Sequence, residues 1–169
     1  MRRCRSILVF GVVCGCGGMQ GISGDPVTGL ASKIYSETVH KAAHGRFTRV
    51  EIFYLDVKIM TRVAVTPQTL ATLGCHLEIR SDSPKWADLV AILQTEDVGE
   101  ADRSSGEVRW GMMFYASAAE PVNELYFGPY YGPQSDETRV FGYVDKLAVS
   151  FSASLPKRMA VYIRDTNCH

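Results

Sequence analysis

Apolar residues recur at i, i+3, i+4 and i+7 where Trp86, Leu89, Val90 and Leu93 follow one another. That spacing lays one apolar stripe along a helix. Ser83-Pro84 ahead of it supplies a cap residue and then a proline suited to the first helical turn. Thr66-Pro67 repeats the signal and predicts a short helix that stops at Gly74. Asp25-Pro26 predicts another, carrying Val27, Leu30, Ala31, Ile34 and Thr38 at helical spacing and closed by Gly45. Near the end, Met159, Tyr162 and Ile163 share a helix face within residues 155–163, with a strand "MAVYI" as the rival reading.

Between these lie stretches with the period of a strand. "FTRVEIFYL", residues 47–55, puts Val50, Ile52 and Tyr54 on one face. After an irregular "DVKIM", residues 61–65 read as a second short strand, and "CHLEIR", residues 75–80, as a third. "VRWGMMFYA" and "PVNELYFG" form a hairpin through Ser117-Ala118-Ala119-Glu120, and "RVFGYVDKLAVSF" turns on Asp145-Lys146. "GEADRSSGE", residues 99–107, is a charged loop and the expected mobile segment; "YYGPQSDET" is another loop. The pattern predicts one α+β domain over residues 25–169: an antiparallel sheet, a meander in its second half, packed by three to four helices.

The N-terminus has a different texture. Three arginines within Met1-Arg2-Arg3-Cys4-Arg5 precede the apolar run Ile7-Leu8-Val9-Phe10-Gly11-Val12-Val13, the layout of a secretory signal peptide. As a helix the ten residues from Ile7 to Cys16 span about 15 Å, half of the roughly 30 Å hydrocarbon core, so this is no transmembrane anchor. Val13-Cys14-Gly15-Cys16 resembles the lipobox of bacterial lipoproteins, with Cys14 in the position that usually holds another small residue. The resemblance covers only the first 16 residues. It implies cleavage after residue 15, lipidation (palmitate included) of Cys16, and, because Gly17 is not Asp, an outer-membrane lipoprotein facing the periplasm. An ordinary signal cut after Gly18, giving a secreted periplasmic protein, is the alternative. Several acyl chains would hold where one is marginal, and residues 16–24, with four glycines after the cysteine, read as a flexible tether.

Charge and cysteine count sharpen this picture. Of the 18 basic residues three precede Cys16, and none of the 18 acids does, so the remainder has three more acids than bases. That speaks against nucleic acid, which wants a basic face, and against an electrostatic hold on anionic lipid. Cys4 and Cys14 leave with the signal and Cys16 takes the lipid. Cys75 and Cys168 remain, and in an oxidising compartment they are expected to form a disulfide.

No catalytic motif emerges. His40 and His44 have the i, i+4 spacing of a two-histidine metal site, but "HKAAH" lacks the glutamate of a zinc hydrolase, and both suit a helix C-terminus as cations. Cys75-His76 and Cys168-His169 lack zinc-site spacing. Ser154-Leu155-Pro156-Lys157 matches Ser-x-x-Lys without its partner motifs. Asp56, Glu96, Glu124 and Asp145 are unpatterned carboxylates that a glycan hydrolase could use. No cofactor is implied. "ELYFGPYYGPQ" is richer: Tyr126, Phe127, Tyr130 and Tyr131 between glycines and prolines suit a binding surface, since Tyr offers contact area at low entropy cost. The sequence therefore points to a membrane-tethered envelope binding protein without enzymatic activity, of inhibitor or immunity type in one form, holding an envelope protein or cell-wall component. An envelope hydrolase working through those carboxylates or a His-bound metal is the alternative.

Overall fold

The computed structural model describes residues 29–102, 106–117, 120–129, 138–164 and 166. The signal peptide, Cys16, the tether and the Asp25-Pro26 cap lie outside them. Within them, helix α1 (Leu30–Ala43) starts at Gly29 and ends as expected at Gly45, whose φ of +66° suits glycine. In order there follow β1 (Arg49–Tyr54), α2 (Pro67–Leu73), β2 (Cys75–Arg80), α3 (Pro84–Gln94), β3 (Val98–Glu100), β4 (Trp110–Tyr115), β5 (Asn123–Phe127), β6 (Arg139–Val144), β7 (Leu147–Ser152) and α4 (Ser154–Tyr162). The predicted caps act: Thr66 Oγ1 accepts from the Thr69 amide and Ser83 Oγ from the Lys85 amide.

All seven strands join one antiparallel sheet in the order β2-β1-β4-β5-β6-β7-β3. The second-half meander is β4 to β7. Register sets Ile52, Met112, Leu125, Val144 and Leu147 side by side across five strands, pointing into the main core. Helices α1, α3 and α4 cover that face, and the stripe Trp86, Leu89, Val90 and Leu93 is buried against it. Two aromatic donors lock α1 to α3. Trp86 Nε1 donates to the Ala42 carbonyl at 3.1 Å and Tyr35 Oη to the Leu93 carbonyl at 2.8 Å, each adding a side-chain donor to a carbonyl in the last turn of the other helix that also accepts a backbone amide. At Gly142 a Cβ would lie 1.9 Å from the Tyr126 carbonyl oxygen, so the approach of β6 to β5 requires glycine there.

Among the described residues the helix on the opposite face is α2, over a small second core of Phe53, Leu55, Val65, Leu70, Val108 and Tyr126. Among the described residues no helix is long and apolar enough to cross a membrane.

Three expectations are corrected. Residues 61–65 form no strand: buried Arg109 reaches under this segment and donates to the Asp56 and Ile59 carbonyls at 3.2 and 3.0 Å, holding the connection as an irregular braced loop. The charged 99–107 stretch is not loop from its start, because Gly99 and Glu100 belong to β3 and pair with Ser150 and Val149 of β7. The described residues do not show the expected Cys75–Cys168 disulfide. No disulfide joins two described residues, Cys168 lies outside them, and what fixes the β2 edge here is its six-residue pairing with β1. Cys75, opposite Tyr54, is nonetheless not a free thiol.

Candidate binding face

Alternation along the strands sends Arg49, Glu51 and Phe53 to the face away from the three helices, together with His76 and Glu78, Met113 and Tyr115, Glu124 and Tyr126, and Tyr143. Register sorts them into rows. Glu78, Glu51, Met113 and Glu124 lie side by side, an acidic row with a methionine in it. On one side Arg80, Arg49 and Tyr115 form a second row; on the other, His76, Phe53, Gly111, Tyr126 and Tyr143 form a third.

The rows are tied to one another. The Arg49 guanidinium sits 3.8 Å from the centroid of the Tyr115 ring, a cation–π contact, and its Nε lies 3.3 Å from Glu51 and 3.7 Å from Glu78. Tyr115 Oη donates to Glu51 Oε2 at 3.1 Å, and His76 Nε2 lies 3.6 Å from the same oxygen while its ring stacks on Phe53. Burial, then the neighbouring Glu51, pushes the Tyr115 hydroxyl above its ordinary pKa, so it stays a donor. The result is a fixed set of groups on the sheet that runs from buried Tyr115 and Phe53 through half-buried Arg49 and Glu51 to exposed His76 and Glu78.

At the α2 end the face deepens into an open cleft of about 220 Å³ lined by Pro67, Gln68, Glu124, Tyr126, Tyr143 and Lys146. The turn at Asp145-Lys146, predicted from the sequence, forms its rim with both residues at positive φ, +47° and +74°. Asp145 is clamped to β5: its carboxylate accepts from Asn123 Nδ2 at 2.7 Å and from the Glu124 amide at 2.6 Å, and its own amide donates to the Glu124 carbonyl at 2.9 Å.

The aromatic candidates divide. Phe127 is fully buried between Trp110 and Phe151 in the main core, and Tyr126 is buried under α2 with only its edge in the cleft. Tyr130 and Tyr131 lie outside the described residues, as does the lipidation candidate Cys16. His40 and His44 stack at 4.0 Å on the exposed end of α1, His44 Nδ1 donating to the His40 carbonyl; no group of three metal-binding side chains occurs among the described residues.

The four carboxylates serve the fold in different places. Asp56 accepts from the Lys58 amide, Asp145 clamps its turn, and Glu124 lines the cleft. Glu96 is enclosed, its side chain fully buried, accepting from Arg158 and from the Ser152 amide. Sequence reasoning missed Arg49, Glu51, Met113 and Tyr115 as a group. Their alternation in "RVEIFY" and "WGMMFY" was visible, but not that β1 and β4 become neighbours. No family model matches this chain, and neither a curated protein nor a solved structure matches it.

Proposed function

We propose that the protein is an exported, membrane-tethered envelope lipoprotein that works as a binding protein, presenting the polar-aromatic sheet face to an envelope protein or cell-wall component. The observation that carries the binding reading is the asymmetry of the sheet. Three helices close one face, while the other keeps a pre-ordered row of Glu78, Glu51, Met113 and Glu124 between arginine and tyrosine neighbours. Rigid aromatic and arginine groups held in place before binding lose little entropy when a partner docks, which is how such residues come to dominate interfaces. The acidic row favours a partner that offers cations. The N-terminal lipobox resemblance and glycine-rich tether support the envelope location.

A photo-crosslinking residue at position 113 tests this against one at position 88, exposed on α3. In cells, adducts are expected from 113 and not from 88. Adducts from 88 alone would place the partner on the helical side and overturn the proposal.

A further inference from the structure

We propose that the cleft between α2 and the β6–β7 turn is a subsite for a small zwitterion: a free amino acid or short free peptide carrying both an ammonium and a carboxylate. The inference deepens the binding-face reading and rests on it. Four parts of the chain converge on the cleft. They are Pro67 and Gln68 of α2, Glu124 and Tyr126 of β5, Tyr143 of β6, and Lys146 of the turn. Two of these side chains carry opposite charge, yet among the described residues neither Glu124 nor Lys146 has an ion-pair partner. Each is thus available to a ligand group of the opposite sign, Glu124 to an ammonium and Lys146 to a carboxylate. The Tyr126 hydroxyl neighbours Glu124, and a carboxylate has acceptor capacity for a ligand donor.

Size and surroundings narrow the ligand. A volume of about 220 Å³ falls below the roughly 300 Å³ at which sites for drug-sized molecules begin, so the cleft suits a free amino acid or a dipeptide. Tyr126 and Tyr143, direct neighbours across β5 and β6, supply aromatic surface for a short apolar side chain. Gln68 offers both a donor and an acceptor at the rim for a peptide group.

The backbone of the turn adds an independent argument. The second residue of such a turn stands at φ +74° and holds Lys146, where glycine fits without strain. The first, Asp145, is of a type that tolerates this region and is tied to β5 by the hydrogen bonds described above. The chain therefore keeps a strained lysine at a turn position that lines the same cleft as Glu124. The ammonium gives that strain a use.

Calorimetric titration of the full chain with alanylalanine tests the assignment, beside N-acetyl-alanylalanine and alanylalanine amide. The free dipeptide is expected to bind one to one, with the acetylated and amidated forms each at least tenfold weaker. Glu124→Gln should abolish the penalty for acetylation, and Lys146→Gly the penalty for amidation. Lys146→Gly should also raise the midpoint of thermal unfolding, which reports that the variant is folded. A D,D preference would name a free dipeptide released from the cell wall as the source and an L,L preference one released from protein. No binding of the free dipeptide at millimolar concentration, or binding that ignores both end blocks, overturns the subsite. If position 113 still forms adducts in that event, the binding face stands without it; if it does not, both readings fail.

Discussion

Glu96 shows what one buried carboxylate does when the fold, and not a substrate, has claimed it. It accepts from Arg158 and the Ser152 amide, and Arg158 also donates to the Ile92 carbonyl at the end of α3, so one ion pair joins α3, β7 and α4. Burial raises its pKa above the usual carboxylate range despite the opposing pull of the Ser152 amide and Arg158. The folded state therefore holds the proton more tightly than the unfolded chain, whose glutamate titrates near 4.3. From about pH 4 upward, this residue's contribution to stability is lost as pH rises through the raised folded value. Urea unfolding at a series of pH values should show that decline in the native protein and a flatter profile in Glu96→Gln. Residue type alone placed Glu96 among four possible catalytic acids. What separates it from Glu124 is burial and a partner 62 positions away, neither of which is written in local sequence.

At the scale of elements, legibility follows the range of the interaction that decides each one. The helices opened by Thr66-Pro67 and Ser83-Pro84 and the Asp145-Lys146 turn were readable because cap and turn chemistry acts within a few residues. The loop over residues 55–66 was not, because a guanidinium more than 40 residues further along the chain decides its path. Arg109 is buried, paired with Glu107, and spends Nη1 on the Asp56 and Ile59 carbonyls. Arg109→Leu removes the side-chain donor from both carbonyls and the guanidinium from Glu107, and should cost about 2–3 kcal/mol. Hydrogen exchange should quicken first at the Ile59 amide, which donates to Asp56, while β4 amides stay protected. Equal acceleration across both would mean that the brace is not local. The same logic hid β3 in a charged stretch, since only its pairing with β7 makes it a strand. It also hid how deep Tyr126 and Phe127 lie, since they end the expected strand beside Gly128-Pro129 and become core once β5 sits between β4 and β6.

For the whole molecule, the sequence foresaw an antiparallel sheet with helices, and the observed sheet adds the fact that matters for function: which face is left open. That fact depends on strand order, so alternation within any one strand could not supply it. The envelope part of the account has its own test. Replacing Cys16 by serine should abolish metabolic labelling with a palmitate analogue and release the protein from the membrane fraction, because the acyl chains are the proposed anchor. Labelling that persists would contradict lipidation at Cys16.

The binding face itself is tested most directly by methionine oxidation inside intact envelopes. Met113 lies half-buried in the middle of the acidic row, whereas Met60 stands 92% exposed at the tip of the Arg109-braced loop, well suited as an internal reference. In purified protein both thioethers should oxidise at rates set by their exposure. In the envelope, a partner seated on the face should slow Met113 severalfold relative to Met60. An unchanged ratio of the two rates would mean that the open face is bare where the protein works, and would contradict the account.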